Sequence, residues 1–411
     1  MPFVSAGAEI SVSTFFCPHC EPVTFLRDLP RFRYLWLSKA MSSAGAGVGR
    51  TALVLFAASS GPGAVSLVLV GTALPLLAGP LAGAVADRMD QRRLLAGCEA
   101  GQGIVYAVMA LTQPPLPALL PLVILASLLA TFGAPAGKSA VGRLVPAERR
   151  SRANALLGLA MNLQIIAGPA IGGVLAGTTG ISVAFGVNAA SFAVSALLLT
   201  RLGPLAPLER PAPEDRPGLL ADTISGLRYA KEHPVVRRLF LGMVIFVTFA
   251  AVDNVALVFL VRRALHGPTI EYGIVSAAFG VGMVTASLAL TVQANRMPAA
   301  FWLTGGAIAG AVGMVLTGIA PSTAVACAGQ AVAGAGNTAA LVGTDTLVQE
   351  RVPEHMLGRA FGTVYGGAQL ASALSYIIAG PLVALTGPRA TLIIGGTGAL
   401  LAAFVLRSRP A

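Results

Sequence analysis

The chain has 411 residues, of which 55% are hydrophobic and 11% charged, and it carries a formal charge of +11. That charged fraction is under half the roughly 25% of soluble domains. With a mean hydropathy of +0.78, the chain has too little polar surface to wrap a soluble core of this size, so the bilayer is the solvent that fits. The positive charge would point to nucleic acid in a soluble chain; here it is read as membrane topology, with no nucleic-acid partner.

Residues 1–32 read as a cytoplasmic tail. Within it, Cys17-Pro18-His19-Cys20 resembles the CxxC of thioredoxin-like oxidases. Those enzymes need a βαβ frame around the motif, and too few residues precede the first apolar run to build one. The pair is therefore read as a tail without redox chemistry, occasional metal binding being the alternative. The upstream segment lacks the basic start and small-residue exit of a cleavable signal. Cys98 and Cys327 lie in apolar runs and read as small core residues.

Twelve apolar segments follow, each long enough to cross the hydrocarbon core as a helix: 34–58, 63–86, 94–112, 117–137, 153–177, 181–200, 239–261, 272–294, 301–320, 322–347, 360–385 and 389–407. They divide into a six-helix bundle over 33–200 and another over 239–407, with a short tail at 408–411. The linker 201–238 opens with the proline-rich "GPLAPLERPAPEDRPG". It continues with "LLADTISGLRYAKEH", whose Leu219, Leu220, Ile224, Leu227 and Tyr229 suit an amphipathic helix at the membrane surface.

With the N-terminus placed inside, 23 Lys and Arg fall in cytoplasmic segments and three, Arg262, Arg263 and Arg389, in outer loops. Lys39 and Arg50 lie within the first span. The bias predicts a multi-pass protein of the cell (inner) membrane with both termini cytoplasmic. The halves also resemble each other. "ADRM" at 86–89 returns as "ANRM" at 294–297, and "RLVPAERRSRA" from Arg143 aligns with "ERVPEHMLGRA" from Glu350. Thr179-Gly180 meets Thr386-Gly387 at the same spacing. Duplication of a six-helix unit is the expectation, with a substrate site between the halves near the midplane.

Between spans 2 and 3 stands "GAVADRMDQRR", which resembles the cytoplasmic loop signature G-x-L-A-D-R-x-G-R-R/K of the major facilitator superfamily. Gly83, Ala86, Asp87, Arg88 and Arg92 match, Val85 replaces Leu, Asp90 replaces the second Gly and Gln91 the first closing base; Arg92 or Arg93 takes that last role. "RFRYLWLSKAMSS", "GPLAGAVADRMDQRRLL" and "RLVPAERRSRANAL" are similar to the drug and siderophore exporter branch, which includes enterobactin-exporter-like and macrolide-efflux-like proteins. "GPAIGG", Gly168 to Gly173, matches the core of that branch's antiporter motif in span 5. There Pro169 removes a donor and kinks the helix, while Gly168, Gly172 and Gly173 admit a neighbouring helix; ordinary small-residue packing is the other reading. The acid that follows "SxxG" in the branch's first span is absent here, where the chain reads Ser42-Ser43-Ala44-Gly45-Ala46.

The resemblance implies an all-α membrane fold of two pseudo-symmetric six-helix bundles, with spans 1, 4, 7 and 10 lining a central cavity. It implies that Asp87 latches onto the N-terminus of span 11 around Gly358 to Gly362, where free N–H groups favour a carboxylate, with the arginines holding Asp87 or lipid phosphates. Topology signalling alone would account for Arg92 and Arg93.

Ionisable groups inside the membrane are functional candidates. Asp253 in span 7 is the acid nearest the midplane, and Arg50 in span 1 could face it across the cavity; a purely structural ion pair is the alternative. Glu99 is expected to bridge to the latch loop through Arg92, and Asp345 to loop arginines. Asn162, Asn254, Gln330, Asn337, Tyr365 and Gln369 are cavity candidates, helix–helix hydrogen bonding being the alternative for each. No nucleotide-binding glycine loop or metal-ligand cluster is present, so no cofactor, metal or enzyme activity is expected. Drive then comes from an ion gradient, a proton being natural where one buried carboxylate changes charge. The expectation is a monomeric, proton-coupled exporter of lipophilic or amphipathic small molecules. The alternatives are an uptake symporter on the same fold and, in another class, a non-transporting membrane receptor or enzyme.

Overall fold

The computed structural model describes residues 22–205, 228, 232–293, 297–353 and 356–407. Cys17 and Cys20, the amphipathic stretch of the linker and Arg296 of the repeat lie outside the described residues. Among the described residues there is no strand. Ten helices are long and apolar enough to cross a membrane, and the pair Pro62–Ala78 and Leu81–Arg88, bent by 56°, supplies an eleventh crossing.

The last helix, Leu357–Arg407, holds 51 residues and breaks at Gly387 (φ 80°, ψ 165°). At 1.5 Å per residue it would run about 75 Å, over twice the ~30 Å hydrocarbon core. Gly387, in the left-handed region, turns it back, so it supplies spans 11 and 12. Arg389 secures the turn by donating to the carbonyls of Gly318 (3.2 Å) and Ala320 (2.7 Å) at the end of span 9. Among the described residues, twelve crossings result.

The other spans are span 1 (Pro30–Ala58), span 2 (Pro62–Ala73, a 3-10 turn, then Gly79–Arg88), span 3 (Gln91–Thr112), span 4 (Leu116–Leu144), span 5 (Arg150–Ile165 and Ala167–Thr178) and span 6 (Ile181–Thr200). Beyond the linker stand span 7 (Pro234–Ala250, Asp253–Phe259 and a π turn Leu260–Ala264), span 8 (Thr269–Gln293), span 9 (Ala299–Ile319) and span 10 (Thr323–Arg351). Spans 4 and 10 run several residues past the apolar segments that announce them. Hydropathy marks only the part in lipid, whereas helical hydrogen bonding continues into polar sequence. Pro75 explains the irregular middle of span 2, since it interrupts the helical ladder.

Helix pairing repeats with a shift of six. Span 3 packs on spans 4 and 6 as span 9 packs on 10 and 12, and span 2 packs on 4 as 8 packs on 10. Span 5 meets span 8, and span 2 meets span 11, across the two bundles. The even number of crossings puts both described ends on one face, here the near face; Gly61, Gly180 and Gly387 turn the chain at the far face.

The cores differ between the two faces. Toward the far face a single buried cluster unites both bundles, from Val48, Leu55, Val65 and Leu69 to Val255, Phe259, Val275, Tyr376 and Val383. Toward the near face the clusters are separate. One, around Phe32, Leu95, Ala140 and Leu202, belongs wholly to the first bundle; another, around Val236, Val348 and Val364, belongs wholly to the second.

Candidate functional site: a cavity between the bundles

Beneath the shared core lies a cavity of about 470 Å³. Its charged and polar lining comes from Arg50 and Thr51 of span 1, Gln164 of span 5, Asp253 and Asn254 of span 7, Tyr272 and Ser276 of span 8, Gln330 and Asn337 of span 10, and Ser372 and Tyr376 of span 11. Phe246, Phe279, Met283 and Met314 add apolar surface. Arg50 is exposed although it lies deep within span 1, because its head points into this space.

A break in span 7 sets the polar floor. Ala251 and Val252 leave the helix, and a new segment starts at Asp253. Asp253 and Asn254 are thus consecutive in its first turn and point about 100° apart. Asp253 Oδ1 accepts from Gln330 Nε2 at 2.8 Å, joining spans 7 and 10. Asn254 Oδ1 accepts from Arg50 Nη2 at 3.3 Å, joining spans 7 and 1 across the bundles.

Span 5 is also broken, at Ile166 (φ −103°, ψ −65°). Pro169 stands three residues later, where its ring crowds the preceding turn. The kink therefore precedes the proline. Above it the glycines bring span 5 close to span 1 within the first bundle and to span 8 across the bundles. A Cβ on Gly172 would stand 2.9 Å from Thr51 Cβ of span 1, and one on Gly173 would stand 2.7 Å from Gly273 Cα of span 8. Gly168 abuts Gly47 of span 1 in the same way. Span 8 returns the contact with Gly280 against Ile165 and Ile166. Pro169 itself lines the cavity.

At the near face, Asp87 and Arg88 close the second segment of span 2 and are exposed. Arg92 is half-buried and Arg93 exposed. Asp90 carries a role that sequence comparison showed only as a departure from the family loop. It caps span 3 by accepting from Arg93 N (2.9 Å), and its other oxygen accepts from Leu205 N (2.9 Å). Gln91 N donates to the Leu205 carbonyl (3.2 Å). From span 1, Arg31 Nε donates to the Leu202 carbonyl (2.6 Å) and Nη2 to that of Pro204 (3.2 Å). The start of the linker is therefore bound to the first bundle. Partial burial works against the Asp90 charge, but the N–H groups of Arg93 and Leu205 and the Arg92 guanidinium outweigh it and hold its carboxyl below the usual range.

Of the cavity candidates, Asn254, Gln330 and Asn337 line the cavity and Asn162, Tyr365 and Gln369 do not. Tyr365 donates to Asp345 Oδ1 at 2.5 Å, which replaces the expected pairing of Asp345 with loop arginines. The two meet on adjacent spans. Glu99 turns toward Ser42, Ser195 and Lys39 of spans 1 and 6 instead of the latch loop, since its helix face looks into the bundle. Span 4 contributes no lining residue, contrary to expectation; spans 5, 8 and 11 do. The cavity lies directly under the far-face contact of spans 5 and 8, so those helices form its walls. Tyr272 and Tyr376 escaped the sequence reading because neither belongs to a motif or carries a charge that marks it in an apolar span. The spacing of Gly273 and Gly280 was the available signal for span 8.

A family profile described as "Transmembrane secretion effector" matches residues 24–410. The multidrug efflux pump Tap of Mycobacterium tuberculosis is 28% identical over 380 residues, which cover 89% of this chain and 89% of that protein. The enterobactin exporter EntS of Citrobacter koseri is 23% identical over 396 residues, 93% of this chain and 92% of that one. Among solved structures, a bacterial homologue of the human lysosomal transporter Spinster, in an inward-facing and unoccupied conformation, superposes with a TM-score of 0.71 at 15% identity, over 92% of this chain and 96% of that one. The nucleoside transporter NupG does so at 0.72 and 13%, over 92% and 98%. These likenesses show the fold.

Proposed function

The chain belongs to the transmembrane secretion effector family, on the major facilitator fold, and we propose that it is a proton-coupled exporter of lipophilic or amphipathic small molecules. The observation that carries this reading is the cavity: one carboxylate and one guanidinium, set among aromatic and thioether side chains, between bundles joined on one face only. Resemblance to Tap and EntS, both named for outward transport, supports export over uptake.

The near face is the cytoplasmic one on this reading, because 23 Lys and Arg fall in its segments against three on the far side. The described state is then closed outward and open inward, in a monomer of the cell membrane. Asp253 gives up a proton to the cytoplasm as the substrate enters. The bundles rock about the contact of spans 5 and 8, and the latch loop closes the inner side. An outside proton then returns to Asp253 as the substrate leaves.

The test is accumulation of a fluorescent lipophilic dye in cells with and without the protein. Expression should lower accumulation, and a proton uncoupler should restore it. Asp253→Asn, fixed in the protonated form, should still bind the dye but no longer concentrate it against a gradient. Dye accumulation raised by expression would replace export with uptake, and insensitivity to the uncoupler would remove the proton.

A further inference from the structure

Two opposite charges line one cavity and do not pair. Among the described residues no ion pair joins Arg50 to Asp253, although the partner of Arg50 is the residue next to Asp253. In a confined site of low dielectric, such charges attract strongly. Something must hold them apart.

We propose that Gln330 and Asn254 are positioning residues that keep Asp253 from collapsing onto Arg50, and so keep the cavity carboxylate free to exchange a proton. The inference rests on the reading of Asp253 as the proton site. Gln330 is 1% exposed and donates to one carboxylate oxygen. Asn254 spends its amide N–H on the Ala251 carbonyl (3.3 Å), which turns its oxygen toward Arg50. Each charge thus has a neutral partner, and the break in span 7 sends the two partners in different directions.

The two bonds also differ in what rocking does to them. Gln330 and Asp253 lie in one bundle and travel together. Arg50 and Asn254 lie in different bundles, so their bond can part when the bundles move. A direct Arg50–Asp253 pair would be a lock between the bundles and would occupy the carboxylate with a cation. Apart from Arg50, the cavity lining brings no competing charge. Span 8 presents Tyr272, span 11 Tyr376 and span 10 Asn337, while spans 2, 5 and 9 offer Leu69, Gln164 and Met314.

Infrared titration of the purified protein in liposomes reads the protonated-carboxyl band, with no substrate needed. The band of Asp253 is the one missing from Asp253→Asn. Gln330→Met keeps the volume and removes the donor. Simple loss of a donor to a carboxylate favours the protonated form and should enlarge the band. Release onto Arg50 does the opposite. At the pH where the wild type is half protonated, we expect the Gln330→Met band to fall about fivefold, the result of a tenfold loss in proton affinity. Adding Arg50→Gln should restore it. Asn254→Ser, which frees Arg50 from the other side, should give a smaller fall in the same direction. A band unchanged or enlarged in Gln330→Met, or a fall that persists without Arg50, overturns the positioning role while leaving Asp253 as the proton site. No band lost in Asp253→Asn overturns the proton site itself, and the inference with it.

Discussion

The far and near halves of this molecule are built from the same helices and differ in which of their contact surfaces are in use. In the far half, small residues press the bundles together: Gly173 on Gly273, and Gly380 of span 11 on Ser66 of span 2. In the near half, the same two helices carry small residues that touch nothing. A Cβ on Gly79 or Gly83 of span 2, or on Gly358, Gly362 or Gly366 of span 11, would meet no atom within 4 Å. The spacing of four puts each set along one helix face. Spans 2 and 11 thus own two complementary seams, one closed and one open. Alternating access on this plan needs no new surface, only an exchange of one seam for the other.

The strongest way to break that symmetry is to block the closed far half where spans 5 and 8 meet, beside the seam of spans 2 and 11. Gly173→Leu would drive a side chain into the Gly273 backbone, which cannot swing aside as a side chain can. Overpacking of this kind costs about 1–3 kcal/mol. We expect transport to be abolished and the far face to become accessible to a membrane-impermeant thiol reagent through a cysteine placed at Ser66. Full transport with a protected far face would mean that contact has slack that the geometry hides.

Blocking the open seam should act on function and spare the described state. Gly362→Leu meets empty space here, so its thermal stability should stay within about 0.5 kcal/mol of the wild type. If spans 2 and 11 must close over the near face, dye efflux per folded molecule should fall about tenfold, equivalent to ~1.4 kcal/mol against the closed form. Undiminished efflux would show that this face only meets lipid.

Asp87→Asn is the milder version of the same experiment. A carboxylate at a helix N-terminus contributes about 0.3–1 kcal/mol, and up to ~2 where partly buried. Efflux should drop about two- to fivefold, with unchanged folding. Equal loss in Gly362→Leu and in the double variant would tie both residues to one closing step.

How much of this the sequence carried depends on what each residue answers to. The crossings were legible because lipid exposure acts on every residue of a span, and the Thr386-Gly387 repeat foretold the turn between spans 11 and 12. Asp253 and Arg50 stood out as charges in apolar runs, and they share the cavity. Cavity walls were harder. Whether Gln369 or Ser372 faces the cavity depends on a helix rotation of about 60°, which composition does not encode in a span apolar on all sides. Tyr365 and Tyr376 stand about 20° apart on one face of the span and differ in depth, by about 16 Å, which sets one in the cavity and the other against Asp345. Glu99 was placed by counting turns toward Arg92, but spans 1 and 6 set its environment. Asp90 was visible only as a mismatch, since its partner Leu205 is far away in sequence.

That mismatch supplies the smallest effect and the finest probe of the near half. Asp90 ties the start of the linker to the first bundle as far as Leu205. Asp90→Ala removes the cap of span 3 and the bond to the linker together, which should cost about 0.5–2 kcal/mol of stability and change efflux little. The pH dependence follows from the sign of the shift. The Asp90 carboxyl sits below its ordinary value of 3.8 in the folded protein, so the unfolded chain binds its proton more readily. Its contribution is therefore complete above the unfolded value and fades as pH falls through the folded one. Thermal unfolding at neutral pH should separate wild type from Asp90→Ala, and the gap should narrow as the pH falls below the ordinary carboxyl value of 3.8. A gap that stayed constant would mean the hydroxyl form holds Leu205 as well as the carboxylate does, and that the clamp is a matter of shape and not of charge.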